Sequence, residues 1–225
     1  MWGLAGTGED GWMKWVRAVH HVESLAQACA EMATRPASIF PLRVTQMWAV
    51  GEILGPPSQD VEFVTVALCV DLPPDAVAWR TEPPGAQHWA NATRLAKNPV
   101  LAWWRSAHAP VWNHCIDRPI QVWDEANGVH DEVLAALRDG RGESLRPAAP
   151  APHLLRARLN EELAVSLHAL RACTKDYEDR RWSPGKLEPV ADALWRAGDG
   201  YLDVLAALHD PTHDAWPDQG ADYGL

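Results

Sequence analysis

The sequence is poor in cysteine and in the smaller aromatic residues, with four Cys, two Phe and three Tyr among 225 residues. Cys29, Cys69, Cys115 and Cys173 form no Cys-x-x-Cys pair, so their spacing predicts neither a disulfide framework nor a zinc site. No apolar run approaches the roughly 18 residues that a membrane span requires. The first residues also lack the basic and apolar segments of a signal peptide. These absences predict a cytoplasmic protein with no membrane partner.

Positive charge is scarce as well. The chain has 20 Lys and Arg against 30 Asp and Glu, which gives a net charge of −10. Because a negative field repels polyanions, the composition disfavours nucleic-acid binding as the main role. Tryptophan, in contrast, is abundant, with 13 residues. These tryptophans are spread through every predicted element, so we expect most of them to fill the core.

The hydrophobic pattern predicts an α/β (α+β) protein with a small mixed sheet flanked by helices. The predicted strands are, in chain order, 42–50, 61–70 and 111–123. The link between the first two strands is too short for a crossover helix, so we expect these strands to be antiparallel. Pro119 lies inside the third strand and cannot donate to a ladder, which indicates an edge strand or a bulge.

Helical periodicity begins at Met13, which makes this methionine a candidate for the true start, and predicts a first helix that ends near Pro36. The later predicted helices are 86–107, broken near Asn98 and Pro99, then 129–139 and two leucine-rich helices after Pro152. The last two are expected to form an antiparallel hairpin. The resulting division of the chain is a flexible extension over 1–12, a mixed domain over 13–140, a helical hairpin over 153–209 and an acidic disordered tail over 210–225.

Two carboxylates, Asp60 and Glu62, stand on either side of Val61 where the second predicted strand begins. Residues i and i+2 of a strand point to the same face, so both carboxylates can bind one hard cation such as Mg²⁺. Gly51 ends the preceding strand, and a backbone without Cβ lets a phosphate group come close. The plainer alternative, two solvated charges at the end of a loop, stays open.

The order of strand, glycine, short loop and Asp-apolar-Glu-apolar resembles the core signature of the nucleotidyltransferase fold over about residues 39–71. The resemblance implies Mg²⁺-dependent nucleotidyl transfer from a nucleoside triphosphate. It makes Asp60 and Glu62 the catalytic residues and metal ligands, and puts Gly51 beside the triphosphate. A third metal ligand would stand on a later strand, where Asp117 and Asp124 are the candidates.

Four cations in the middle of the chain are candidates for binding the anionic nucleotide, namely Arg94, Lys97, Arg105 and Arg118; the alternative is an exposed charged face. Glu52 occupies the position where the family has a small hydroxyl residue, and its charge would repel phosphates. The second functional hypothesis is therefore a catalytically inactive member of this fold. Such a protein would act as a homo-oligomer or with a protein partner through its C-terminal helices.

A third hypothesis is a hydrolase in which His108 or His114 activates the thiol of Cys115. No local spacing supports this pairing, so the sequence favours a structural role for these residues. The neighbouring pair Trp103 and Trp104 lies in the predicted helix 86–107. Adjacent helical residues cannot both face one core, so we expect one of the two to line a cleft or a subunit contact.

Overall fold

The computed structural model describes residues 13–57, 61 and 63–210. The described helices are α1 (Trp15–Ala33), α2 (Ala86–Ala92), α3 (Asp131–Arg138), α4 (Pro152–Arg180) and α5 (Glu188–His209). The described strands are β1 (Val44–Val50), β2 (Val64–Val70), β3 (Val100–Ser106), β4 (Ile120–Asp124) and β5 (Gly128–Val129). The predicted mixed architecture with a C-terminal helical hairpin is confirmed. The predicted extension 1–12, residues 211–225 of the predicted tail, Asp60 and Glu62 lie outside the described residues.

The strands form one sheet in the order β3-β2-β1-β4-β5. β1 is antiparallel to both β2 and β4, which confirms the predicted pairing of the first two strands, and β2 is parallel to β3. Val50 pairs with Thr65, and Ala49 pairs with Ile120. The end of β1 therefore lies beside the beginnings of β2, β3 and β4. We call this end of the strands the Gly51 end of the sheet, after the residue that follows β1.

Both faces of the sheet are buried, and β2 shows this most clearly. Val64, Val66 and Leu68 belong to the core beneath α1, α2 and α3, whereas Ala67 and Cys69 belong to a second core beneath α4 and α5. A strand covered on both faces needs apolar residues at successive positions rather than at alternate ones. This explains the uninterrupted apolar run that predicts the strand from sequence.

The predicted helix over 86–107 is wrong in its second half. The helix α2 ends at Ala92, and Val100–Ser106 forms β3, which pairs with β2 over its whole length. A connection that contains a helix is what two parallel neighbouring strands require. Pairing with β2 explains why residues 100–106 are extended, although their composition also suits a helix. Trp103 and Trp104 consequently point to opposite faces of the sheet.

The predicted strand over 111–123 is shorter than expected, because β4 begins only at Ile120. Residues 107–119 form an irregular loop that ends at Pro119. A proline at that position lacks the N–H group that a ladder needs, so pairing starts after it. In the described part of the chain, no helix is long and apolar enough to cross a bilayer.

Candidate functional site

Gly51 begins a 3₁₀ turn directly after β1 and has a left-handed backbone conformation, with φ at +73°. It is exposed, and apart from its own chain neighbours no heavy atom of the described residues lies within 4 Å of the position that a Cβ would occupy. A side chain there would be strained by the backbone conformation rather than by a clash. The backbone at this point is therefore open to a ligand from solvent.

Two arginines lie at the same end of the sheet, in a network with two carboxylates. Arg146 binds Asp117 (Nη2 to Oδ2, 3.0 Å) and Glu143 (Nη1 to Oε2, 3.0 Å), while Arg118 contacts the same two side chains. The hydrogen bond from Arg146 lowers the pKa of Glu143. Gly142 packs against Leu54, which brings this network to the turn that follows β1. Sequence reasoning identifies Arg118 as a candidate for binding an anionic ligand but misses Arg146.

The predicted third metal ligands lie at opposite ends of β4. Asp117 precedes this strand at the Gly51 end, whereas Asp124 is its last residue. Asp124 accepts hydrogen bonds from the backbone N–H groups of Ala126 and Asn127 and contacts His130 Nε2 at 2.7 Å. Burial opposes ionisation, but these bonds outweigh it, so the pKa of Asp124 is lowered. Asp124 thus stabilises the turn between β4 and β5, away from Gly51.

The predicted cations are also divided. Arg94 and Lys97 lie in the connection just before β3, which begins at the Gly51 end. Arg105 lies near the other end of β3 and is 3% exposed. Its guanidinium binds Glu162 of α4, which is itself 5% exposed. Arg105 is thus turned into the interior beneath the C-terminal hairpin.

Glu162 joins α4 to the loop before β4. Besides Arg105, it binds Arg158 (Nη2 to Oε1, 3.1 Å) and accepts a hydrogen bond from Asn113 (3.0 Å). Arg105 also donates to the backbone oxygen of Val111. We call Arg105, Asn113, Arg158 and Glu162 the Glu162 network. It fixes the hairpin and the loop against the second face of the sheet.

A second group of polar side chains lies beside this network, between the sheet and α5, and we call it the hairpin cluster. Its members are Trp79, Arg80, His114, Cys115 and Asp203. Oδ2 of Asp203 lies 2.9 Å from His114 Nε2 and 3.8 Å from Cys115 Sγ, and it accepts the indole N–H of Trp79 at 2.6 Å. Arg80 binds the other carboxylate oxygen at 3.1 Å. One carboxylate of α5 therefore organises residues from two loops.

The electrostatics of this cluster favour a protonated thiol. Burial and the nearby carboxylate of Asp203 raise the pKa of Cys115 to about 11. His114 directs Nε2 to Asp203, while His108 contacts the exposed Asp71 instead (2.8 Å). Neither histidine is therefore positioned to activate the thiol, and the geometry gives the hydrolase hypothesis no nucleophile-base pair.

Aromatic rings form the wall of the cluster on the sheet side. Trp103 lies against Trp79 with ring centroids 4.9 Å apart, and the Arg80 guanidinium carbon lies 5.7 Å from the Trp103 centroid. Trp104 is buried on the other face, against Trp89. Of the predicted tryptophan pair, Trp103 thus borders the polar cluster. Asp203 cannot be recognised from the sequence, because it follows His114 by 89 positions and no local motif joins the two residues.

Comparison with known proteins gives a family but no described function. No curated protein matches this chain. No solved structure matches it either. One family model matches residues 13–210, which include the whole described sheet, the Gly51 end and the hairpin cluster. The chain belongs to the family of that model, which is described as Domain of unknown function (DUF7711).

Proposed function

We propose that this protein binds a nucleoside triphosphate together with Mg²⁺ at the Gly51 end of the sheet, as its resemblance to the nucleotidyltransferase fold implies. The observation that carries the proposal is the open, left-handed backbone of Gly51 at the end of β1. A phosphate can approach such a backbone closely and bind its N–H groups. Nucleotidyl transfer is the reaction class that follows from the same resemblance.

The pairing of the strands supports the same location. Val50 and Thr65 are neighbours across the antiparallel pair, so the chain that leads into β2 approaches Gly51. Asp60 and Glu62 belong to that leading segment by sequence. Their described neighbour Val61 is anchored by backbone hydrogen bonds to Met13. Val61 is therefore held beside the residue that leads into α1, three positions before β2 begins at the Gly51 end.

Positive charge at the Gly51 end of the sheet supports the binding of an anionic ligand. Arg94 and Lys97, which precede β3, supply this charge, whereas the charges of Arg118 and Arg146 beside the turn after β1 are balanced by Asp117 and Glu143. In a protein with a net charge of −10, a local group of cations is what an anionic ligand requires.

The donor set fits a magnesium ion. Mg²⁺ is usually held by one or two carboxylates, with phosphate and water oxygens completing its coordination. Asp60 and Glu62 supply carboxylates of this type. Neither predicted third ligand joins them, because Asp117 is engaged by Arg118 and Arg146 and Asp124 lies at the other end of β4. When bound, the ion would neutralise phosphate charge.

A pair of glycine substitutions tests the nucleotide site. Gly51 and Gly128 have nearly the same backbone conformation, with φ at +73° and +78°. At both positions the described part of the chain, the two chain neighbours aside, leaves the space within 4 Å of an added Cβ open. Gly51→Ala and Gly128→Ala should therefore cost similar stability, about 1 kcal/mol. Only Gly51→Ala is expected to weaken binding of a Mg²⁺–nucleoside triphosphate, by about tenfold, because Gly128 lies at the opposite end of β1 and β4.

Isothermal titration calorimetry with each of the four nucleoside triphosphates, with and without Mg²⁺, measures this difference. A second comparison uses the double substitution Asp60→Asn and Glu62→Gln, with Asp75→Asn at an exposed turn as its control. The double variant should lose the Mg²⁺-dependent part of the affinity. The proposal is wrong if the unaltered protein binds no triphosphate, or if the two glycine variants bind equally well.

A specific surface favours a second candidate function, self-association through α5. Trp195 and Leu202 are 69% and 62% exposed and stand seven residues apart, which puts them on one face of the helix. Ala206 continues this exposed face. None of these three side chains carries a charge, so an identical helix in antiparallel orientation can pack Trp195 against Leu202 of a second copy.

Replacing Trp195 and Leu202 together with Ser and Gln should abolish a dimer and leave the fold intact, because both side chains are exposed. Sedimentation velocity or light scattering checks the mass. Two copies each carry a net charge of −10, so added salt should strengthen the association by screening their repulsion. The control is Trp182→Ser, an exposed tryptophan in the link between α4 and α5. A monomer at high protein concentration and high salt would contradict this candidate function.

A further inference from the structure

We propose that His114, Cys115 and Asp203 form a binding site for a zinc ion, with a fourth coordination position open to water or to a small ligand. This site lies beneath α5, apart from the Gly51 end, and it does not depend on the proposed nucleotide binding. Each residue offers one ligand atom, and the three atoms lie within 4.8 Å of one another. Three protein ligands with one open position are typical of catalytic zinc sites.

The distances are close to those of a tetrahedral site. With metal–ligand bonds of about 2.0–2.3 Å, neighbouring ligand atoms of a tetrahedral zinc ion lie roughly 3.3–3.7 Å apart. Asp203 Oδ2 lies 2.9 Å from His114 Nε2 and 3.8 Å from Cys115 Sγ. Small side-chain rotations therefore bring these pairs into range.

The loop that carries two of the ligands is held in place before any ion binds. The side-chain oxygen of Asn113 accepts the backbone N–H groups of Cys115 and Ile116, both at 2.9 Å. Its amide nitrogen donates to Glu162 of α4. The adjacent residues His114 and Cys115 are thereby presented to the same point, which lowers the ordering cost of binding.

The third ligand is oriented by neighbours of the kind that support metal carboxylates. Trp79 donates its indole N–H to Asp203, and Arg80 binds the second carboxylate oxygen. Hydrogen bonds of this type fix the direction of a ligating carboxylate and are a regular part of metal sites.

The imidazole of His114 has unused binding capacity. Its side chain is 9% exposed, and its Nδ1 atom is buried with no hydrogen-bond partner in the described part of the chain. A buried nitrogen without a partner is costly. A flip of the ring about the Cβ–Cγ bond would put carbon atoms where the two nitrogens stand, so Nε2, which faces Asp203, is the nitrogen that is offered to an ion. A metal ion at this point would use the ring nitrogen that faces it.

Donor chemistry and charge both favour zinc over magnesium. Imidazole and thiolate are ligands for zinc and similar transition-metal ions, whereas Mg²⁺ prefers oxygen. Arg80 is paired with both Asp199 and Asp203, so these three side chains carry one net negative charge. On binding, the Cys115 S–H bond is replaced by a sulfur–zinc bond and the proton passes to solvent. The dication then balances the thiolate and the remaining carboxylate charge.

Cobalt substitution tests the site directly. Chelator-treated full-length protein, titrated with Co²⁺, should bind one equivalent with a thiolate-to-cobalt charge-transfer band, and Zn²⁺ should displace the cobalt. Cys115→Ser should abolish that band. It should fold normally, because the residue as a whole is exposed, although its Sγ is partly desolvated, and a hydroxyl is as small as a thiol. Asp203→Asn should weaken metal binding about 100-fold. The matched control is Cys173→Ser, which removes a half-buried thiol on α4 and should leave the band unchanged.

Thermal unfolding with and without Zn²⁺ gives an independent readout, since an ion that binds the folded protein raises its midpoint. That shift should appear in the unaltered protein and in Cys173→Ser, and be absent in Cys115→Ser. Arg80 is the alternative cation for this cluster. If Arg80 is the only cation that pairs with Asp203, no charge-transfer band will form, and this result overturns the zinc site. A band that persists in Cys115→Ser overturns it as well, because the thiolate would then belong to another residue.

Discussion

Replacing Glu162 with Gln is expected to lower the free energy of unfolding by about 3 kcal/mol, although the side-chain volume hardly changes. Glu162 is 5% exposed and lies between two guanidinium groups, those of Arg105 and Arg158, which are 3% and 10% exposed. Removing the negative charge leaves Arg105 buried without a counter-charge and leaves Arg158 with only the exposed carboxylate of Glu161. A buried, uncompensated charge is among the most destabilising changes in a protein interior.

Chemical denaturation followed by tryptophan fluorescence measures this loss, with Glu161→Gln as the matched control. Glu161 is the adjacent residue of α4, is 69% exposed and also pairs with Arg158. Exposed pairs of this kind contribute well under 1 kcal/mol, so the control should unfold almost like the unaltered protein. If Glu162→Gln and Glu161→Gln cost the same, the Glu162 network is not the anchor of the hairpin.

A double-mutant cycle separates the ion pair from the rest of the network. Arg105→Met alone leaves Glu162 with less positive charge and should also be destabilising. The combination of Arg105→Met with Glu162→Gln should cost clearly less than the sum of the two single changes, because the charges are removed together. Additive losses would mean that Arg105 and Glu162 stabilise the fold independently of each other.

The elements that are predictable from sequence are those whose pattern is local. The short run Val64–Val70 is rich in β-branched and apolar residues and is followed by Pro73 and Pro74, which predicts a buried strand. The periodic leucines after Pro152 indicate amphipathic helices. The strand β3 is different, because Trp103 and Trp104 suit either a helix or a strand. Its conformation is decided by seven consecutive pairings with β2. Such pairing with a distant segment leaves no periodic signal.

The candidate sites differ in the same way. Gly51 is recognisable from the sequence because a glycine directly after a predicted strand indicates a turn at which a ligand can approach the backbone. The hairpin cluster is not recognisable from the sequence, because its residues are far apart along the chain. Arg80 and His114 precede Asp203 by 123 and 89 positions. Arg105 is intermediate, because its charge is visible in the sequence but its partner is not. Its charge suggested an anionic ligand, but the counter-charge that it binds, Glu162, comes from a helix 57 positions away.

The second large effect is expected from Gly200→Ala, which should destabilise the protein by about 3 kcal/mol. In an isolated helix this change would be favourable by about 1 kcal/mol, because alanine has the higher helix propensity. In α5, however, the added Cβ would lie 2.1 Å from the carbonyl oxygen of Trp79 and 3.0 Å from its carbonyl carbon. Both atoms belong to the backbone, so α5 itself would have to move away from the Trp79 segment.

Gly198→Ala is the matched control, since it lies in the same helix and its Cβ would meet only Leu170 Cδ1, at 3.8 Å. A contact at this distance causes no clash, so the higher helix propensity of alanine is not offset. We therefore expect the free energy of unfolding to rise by about 0.5–1 kcal/mol. The two alanine variants should thus move the denaturation midpoint in opposite directions. Because Trp79 also donates to Asp203, the displacement of α5 in Gly200→Ala should weaken metal binding by the hairpin cluster, whereas Gly198→Ala should retain it. Equal stability of the two variants would mean that α5 does not depend on close contact with the Trp79 backbone.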